Sequence, residues 1–376
     1  MPTEPNIPAI RALPETLGLD AVVAMSPENF AYVSGAYIFT VALIRPRQAF
    51  AVIPARGAPF QVLCSLETSL SAEESWIDDI RSYTEFVDVP VKALAEALIA
   101  AGLTRGRIGL DMDYMPMASW EVLRHLMPEA EFVDSSAAVA GLRALKMPGE
   151  IALLRSASER THRAVLDAMA ASQPGDSELA MSNLIAKNMI DTGADGTLFM
   201  CFASGRRSHH THGYAQADVV PQPGDIIRLD VAGTYGAFAS DFARTYSAGA
   251  PSAAQREVYR GLIESQIATI AAMGPGVVAE DLFHLCREEF ARRGLDFHMP
   301  HIGHSFGHEL HESPMLRPGD KTRLRPGMVI NVEPAVHDEE NSRYHTEDLI
   351  LITETGTELL SLGIAPLELP VIGTPI

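Results

Sequence analysis

The sequence predicts an α+β chain of two domains, and three observations lead there. First, 376 residues exceed what one ordinary hydrophobic core organises, so two domains of unequal size are expected. Second, the first third alternates short apolar runs with helical patterns, as an α/β domain with a partly parallel sheet does. Third, the remainder carries long amphipathic helices and, between them, apolar strands interrupted by carboxylates. That part reads as helices packed on one curved antiparallel sheet.

In chain order, LDAVVAM (19–25), AFAVIPA (49–55), RIGLDMD (107–113) and EFVDSS (131–136) read as strands. KALAEALIAAG (92–102) and PMASWEVLRHLM (116–127) read as helices between them. Then follows LRALKMPGEIALLRSASERTHRAVLDAMAAS. Pro148 suits a first helical turn, where its missing N–H costs nothing, and Ile151, Leu154, Ala157 and Val165 recur at roughly helical spacing. The boundary is therefore placed just before this helix, giving domains 1–143 and 144–376. SELAMSNLIAKNMIDTG, SAAQREVYRGLIESQIATIAAMGPG and AEDLFHLCREEFARRG continue as helices, the last two stopped by glycine. DIIRLDVAGTYGAFASDFARTYSAG, GMVINVEPAV and YHTEDLILIT have strand character.

Composition narrows the function. Hydrophobic residues are 47 % and charged residues 20 % of the chain, as in a soluble globular protein. A net charge of −19, with Lys and Arg only in isolated pairs, argues against nucleic acid. No run approaches the roughly 18 apolar residues that span a bilayer, and MPTEPNIPAIRALPE has prolines and acids where a secretory signal needs an apolar core. The scattered Cys64, Cys201 and Cys286 suit a reducing compartment, so the expected location is cytoplasmic, with no membrane partner.

The chemistry concentrates in the second domain. HMPHIGHSFGHELHESP holds five of the thirteen histidines within fourteen positions: His298, His301, His304, His308 and His311. GHSFG also fits a nucleophile elbow at Ser305, but that needs a helix after the serine, and GHELHESPMLRPG is a poor helix. Gly303 and Gly307 equally interrupt an all-histidine zinc helix. Asp230 ends the apolar run IIRLD, and Asp241 lies eleven residues on; a hairpin near Tyr235-Gly236 would set the two opposite each other. Such a pair repels unless a proton or a cation lies between the carboxylates; alternatively either Asp pairs with Arg228 or Arg244. Glu333 and Glu347 also sit at the ends of apolar runs, where unpaired burial is costly. Two Asp, two Glu and one His form a donor set for Mn²⁺ or Co²⁺, with Zn²⁺ also compatible.

With these residues in hand, the chain resembles the metallopeptidases of the methionine aminopeptidase, prolidase and aminopeptidase P group, which have a "pita-bread" catalytic domain. The resemblance extends to the N-terminal α/β domain of the proline-specific branch. It implies that Asp230, Asp241, His304, Glu333 and Glu347 bind two divalent metal ions, with Asp241 and Glu347 between them. It also implies Glu333 as proton shuttle, His311 and His212 as groups that steady the reacting carbonyl, and a metal-bridging hydroxide as nucleophile. The implied activity is cleavage before proline in small peptides by a homodimer whose N-terminal domain restricts access to the site.

Three positions depart from the pattern and bear on substrate. Pro300 stands where proline-specific members often have histidine, with His301 adjacent; His308 replaces a small aliphatic residue; His345 replaces an arginine. His301, His308 and His345 are accordingly the candidate substrate contacts. Creatinase and ectoine hydrolase share the fold and cleave small non-peptide C–N bonds, so a small amide is the alternative substrate. A non-catalytic binding module is the third possibility, and it has no reason to keep all five ligands.

Overall fold

The computed structural model describes residues 5–375. Residues 1–4 and 376, which the expected domain bounds include, lie outside the described residues. The chain divides into two compact units, Met1–Arg143 and Ala144–Ile376.

The first unit has six strands: β1 (Ala21–Ala24), β2 (Phe50–Pro54), β3 (Phe60–Cys64), β4 (Asp79–Tyr83), β5 (Arg107–Leu110) and β6 (Glu131–Asp134). Its helices are α1 (Ile7–Leu17), α2 (Pro27–Ser34), α3 (Phe39–Leu43), α4 (Thr68–Glu74), α5 (Pro90–Ala100), α6 (Met117–Leu126) and α7 (Ser136–Arg143). The strands form one sheet in the order β4-β3-β2-β1-β5-β6, parallel at β3/β4, β1/β5 and β5/β6 and antiparallel elsewhere. Alternate residues of a strand point to opposite faces. Val23, Val52, Val62 and Leu110 therefore pack with Leu94, Leu98 and Leu123 of α5 and α6. Val22, Ala51, Ile53 and Leu63 pack with Ile10 of α1, Phe30 of α2 and Val139 of α7. Both faces are covered, which explains why these strands read as continuous apolar runs. Helices α1 to α4 and α7 and strands β3 and β4 were not anticipated: α2 to α4 and α7 are short, and α1 carries Pro8 and Pro14.

The second unit opens with α8 (Pro148–Ala171) and α9 (Glu178–Asp191). Pro148 occupies the first turn of α8, and the Glu150 carboxylate accepts the Met147 N–H at 2.7 Å. Strands β7 (Gly196–Ser204), β8 (Ile226–Tyr235), β9 (Phe238–Ala239) and β10 (Phe242–Ser247) form an antiparallel sheet under these two helices. After α10 (Ala253–Ala271) and α11 (Ala279–Arg292), a second antiparallel sheet combines β11 (Gly303–Ser305), β12 (Glu312–Met315), β13 (Val329–Val332), β16 (Asp348–Ile352) and β17 (Thr357–Leu359). A ribbon of β14 (Ala335–His337) and β15 (Arg343–His345) completes the unit.

The strands thus pair as three sheets, not as the single sheet expected. Polar links join them: the Glu347 N–H donates to Ala243 O at 3.1 Å, and Thr245 Oγ1 accepts the His345 N–H at 2.8 Å and donates to His345 O at 2.9 Å. These links tie the sheets together beside one cavity, which His345 and Glu347 line. No helix among the described residues is long and apolar enough to cross a membrane.

Candidate metal centre

The turn at Gly236 forms as expected, with Tyr235 opposite Phe238 and Gly236 at φ +62. The expected face-to-face pairing of Asp230 and Asp241 does not. Asp230 pairs with Ala243 on one side and Cys201 on the other, and Asp241 lies just before β10. Phe242 opposes Val231, so Asp241 falls on the same face as Asp230 but on the diagonal. Cα atoms on such a diagonal are about 7–8 Å apart, which leaves more room between the carboxylates than direct opposition would.

The other three candidates come from the second sheet. His304 is paired with Asn331 of β13, Asn331 with Leu349 of β16, and the same register carried two residues further sets Glu333 opposite Glu347. Gly303 makes this register possible: a Cβ there would lie 2.1 Å from the Asn331 carbonyl oxygen, so any larger residue pushes β11 off β13. His304 Nε2 lies 3.6 Å from Asp241 Oδ2 and 3.3 Å from Glu333 Oε1. Asp230, Asp241, Glu333 and Glu347 all line one cavity of about 620 Å³, with His212, His301, His311 and His345 in the same wall.

Electrostatics makes this arrangement costly without a cation. Burial, then the charges of Asp230 and Glu333, hold the Asp241 carboxyl well above its ordinary range. Burial, then Asp241, Asp230 and Glu333, do the same to Glu347. Burial would also raise Glu333, but the imidazoles of His304, His301 and His345 outweigh it and hold Glu333 well below. Burial would lower His304, but Glu333 and Asp241 push it up to about 9. Each of the five also presents a buried atom with no hydrogen-bond partner among the described residues: Asp230 Oδ1, Asp241 Oδ1, His304 Nε2, Glu333 Oε1 and Glu347 Oε2. Buried polar atoms are rarely left so. Five such atoms from five strand segments fit divalent cations, and the oxygen-rich set with one imidazole suits Mn²⁺, Co²⁺ or Zn²⁺.

Two histidines face the cluster, and their other ring nitrogens tell them apart. His304 Nδ1 lies 3.0 Å from the Ser305 carbonyl, which can only accept, so the neutral ring carries its proton there and Nε2 offers a lone pair. His345 is reversed. Arg228 Nη2 donates to its Nδ1 at 3.0 Å, so Nε2 carries the proton and points it at Glu347 Oε1 (3.4 Å) and Glu333 Oε2 (3.7 Å). Burial, aided by the Arg228 charge, lowers His345 and keeps it neutral. Asp230, His345 and Glu347 do place potential ligand atoms within 4.8 Å of one another. The donor role of Nε2 nevertheless makes His345 a group that orients carboxylates.

The remaining candidates separate clearly. His311 lies against His304 with ring centroids 4.0 Å apart, and burial, then His304, push it down to about 4, so it is neutral. His301 Nδ1 is 3.1 Å from Glu333 Oε1. His212 is exposed on the cavity wall. His308, expected to touch substrate, is outside the residues that line the cavity. Its ring lies 4.3 Å from Phe238 and its Nε2 3.7 Å from Glu150 Oε1. That expectation is corrected: β11 ends at Ser305, and the chain beyond it carries His308 into packing against Phe238 and the first turn of α8. The possibility that Asp230 pairs with Arg228 is realised together with the cluster, Arg228 Nη2 donating to Asp230 Oδ2 at 2.6 Å. Arg343, also in the cavity wall, had no signal in the sequence, because a lone arginine before a strand has none.

Comparison with known proteins agrees along the whole chain. The model for metallopeptidase family M24 matches residues 152–354, and that for the creatinase/prolidase N-terminal domain matches residues 7–145. The chain is 30 % identical to the uncharacterized peptidase YqhT of Bacillus subtilis, covering 94 % of this chain and 96 % of that one. It is 30 % identical to an Xaa-Pro dipeptidase of Pyrococcus horikoshii, covering 91 % and 93 %. The crystal structure of the prolidase from Pyrococcus horikoshii superposes with a TM-score of 0.83 at 27 % identity, covering 94 % of this chain and 97 % of that one. The chain belongs to metallopeptidase family M24, with a creatinase-like N-terminal domain and a pita-bread catalytic domain, and is a metal-dependent hydrolase.

Proposed function

We propose that the protein is a two-metal Xaa-Pro peptidase of the prolidase type, hydrolysing the bond before proline in small peptides. One observation carries the metal reading: four carboxylates that line one cavity each have a buried oxygen without a hydrogen-bond partner among the described residues, and the equally unpartnered His304 Nε2 lies beside two of them. The substrate reading is supported by full-length similarity to the Xaa-Pro dipeptidase of Pyrococcus horikoshii.

Asp230, Asp241, His304, Glu333 and Glu347 would hold the ions, Mn²⁺ being the best match to the donor set. Bound there, the ions would supply Lewis acidity and make hydroxide available at neutral pH. The chain's own residues do the rest. Glu333, kept ionised by three imidazoles, would be the group that takes up a proton and passes it to the leaving amine. Neutral His311, packed against His304, can donate to a developing oxyanion, and His212 lines the same cavity. Arg228 fixes the carboxylate of Asp230 from behind, and His345 orients Glu347. His301 holds Glu333 from the open side of the cavity.

Residues 1–143 would act as an accessory domain that pairs two copies into a homodimer. Phe39, Leu43, Leu66, Phe86 and Val87 are exposed there, and Arg47 ties their segments together through Glu67 and Glu85. Light scattering of the wild type and of Phe86→Glu tests this; a wild type with the mass of one chain would refute it.

The activity test is hydrolysis by Mn²⁺-loaded protein, with and without chelator, of X-Pro dipeptides, X-Pro tripeptides, creatine and ectoine. Chelator-sensitive cleavage of X-Pro bonds is expected. Turnover confined to creatine or ectoine would replace this reading with that of a small-amide hydrolase.

A further inference from the structure

We infer that the buried ion pair between Lys146 and Glu312 is the positioning device for His311, holding its ring against that of His304. This rests on the role of His311 in the Xaa-Pro reading above and adds to it the residues that set the ring in place.

Strands β11 and β12 pair Ser305 with Glu312, so residues 306–311 form the turn between them. The turn contains neither helix nor strand, yet His311 ends it with its ring centroid 4.0 Å from that of His304. Ordering such a loop costs conformational entropy, which specific contacts have to offset. Glu312, the next residue, supplies them. His311 is exposed to the cavity while Glu312 is buried, as neighbours that point to opposite faces of a strand are. On that buried side Glu312 Oε2 accepts from Lys146 Nζ at 2.5 Å, with 1 % and 2 % of the two side chains exposed. Its Oε1 accepts the Glu309 N–H at 3.2 Å, so one carboxylate holds both the middle and the end of the loop.

The segment leading into α8 grips the loop at more than one point. Lys146 is itself anchored, its N–H donating to the Gly327 carbonyl at 2.9 Å. A Cβ on Gly307 would stand 3.2 Å from Lys146 Nζ and 3.4 Å from Glu312 Oε2, so the loop backbone lies directly on the ion pair. Glu150 reaches His308 at 3.7 Å, and Phe238 packs on the same ring at 4.3 Å. Lys146 is not among the residues that line the cavity, so it reaches the chemistry only through the loop. Two charges buried this deeply lose in desolvation much of what their attraction gains. An apolar pair would stabilise the unit as well; what the ion pair adds is a fixed distance and angle, the property of a charge-assisted hydrogen bond.

The test is a double-mutant cycle on the Mn²⁺-loaded full chain with alanyl-proline as substrate. Lys146→Met and Glu312→Gln should each lower kcat by about 10- to 100-fold, as a misplacement of about 1 Å does, with KM and Mn²⁺ stoichiometry unchanged. In a His311→Ala background, itself impaired, the same substitutions should change kcat by less than about threefold, because the ring they position is gone. Glu312→Gln keeps an acceptor for the Glu309 N–H, and it decides the matter if Lys146→Met does not fold. Hydrogen exchange of the metal-free chain reads the loop without turnover: amides 306–312 should exchange faster in both variants, with α10 and α11 unchanged. Equal kcat losses with and without His311 would show a general structural role and overturn the proposal. Loss of Mn²⁺, or unchanged kcat and exchange, overturns it as well. A His311→Ala chain with the wild-type kcat does so while leaving Xaa-Pro cleavage intact. A wild type that cleaves no Xaa-Pro substrate removes the Xaa-Pro reading and this proposal together.

Discussion

Replacing Arg244 by Met should weaken the catalytic unit by about 3–5 kcal/mol, the usual loss when one partner of a buried ion pair is removed. The pair is fully enclosed: Arg244 Nη2 meets Asp348 Oδ1 at 2.7 Å, with 4 % and 0 % of the two side chains exposed. Arg244 also donates to the carbonyls of Ala243, Gly363 and Glu347 and stacks on Phe242 at 4.3 Å. Met fills most of the aliphatic volume, so the loss isolates charge and hydrogen bonding. Asp348 keeps the Ser361 hydroxyl at 2.8 Å, but even beside Arg244 burial pushes it above the ordinary carboxylate range. Without the guanidinium it should rise further and take up a proton.

A carboxyl raised in the folded state contributes stability below its unfolded pKa and loses it as pH rises through the folded value. The deficit of Arg244→Met should therefore be larger at pH 7.5 than at pH 5. At about 2–4 °C per kcal/mol for a unit of this size, the midpoint should fall by roughly 6–20 °C. The assay is urea unfolding of chelator-treated wild type, Arg244→Met and Arg244→Met/Asp348→Asn at both pH values, so that metal linkage does not contribute. The double variant should recover more than half of the loss. A single-variant loss under about 1 kcal/mol, with no dependence on pH, would refute the reasoning.

Asp241→Asn should abolish metal-dependent turnover with an unchanged circular dichroism spectrum; retained activity in the chelator-sensitive assay would count against two ions. Mn²⁺ uptake near pH 7 should release protons, because Asp241 and Glu347 are raised and His304 is pushed up to about 9 in the metal-free site. Calorimetry in two buffers of different ionisation enthalpy measures this, and zero net release would contradict it. Gly303→Ala should displace β11 from β13 and weaken Mn²⁺ binding at least tenfold, since its Cβ meets a backbone oxygen at 2.1 Å. Unchanged affinity in a metal titration would show that the strand yields without moving His304.

Much of this architecture was legible because local chemistry overrode context. Pro148 announced α8, and Gly236 announced the turn between β8 and β9. Carboxylates at the ends of IIRLD and MVINVEP stood out because apolar strands do not end that way without reason. The short helices α2 to α4 were not legible, since helices of this length draw their stability from packing on a sheet, and α1 was hidden by Pro8 and Pro14. Nor was the side to which each histidine turns. His304 and His308 look equivalent in sequence, yet one meets Asp241 and Glu333 and the other Phe238 and Glu150.

The sequence by itself determined the two-domain α+β character, the boundary region ahead of Pro148, and the types and order of the acidic and imidazole groups. Those are properties of residue identity and local spacing. Only the tertiary structure decided that Asp230 faces Ala243 while Asp241 stands on the diagonal. It also decided that His345 donates to carboxylates where His304 offers a lone pair, and that Arg228 is engaged while Arg343 stands open to the cavity. The reason is physical: register between strands distant in sequence sets which side chains meet, and a ring nitrogen's role depends on the partner its other nitrogen finds.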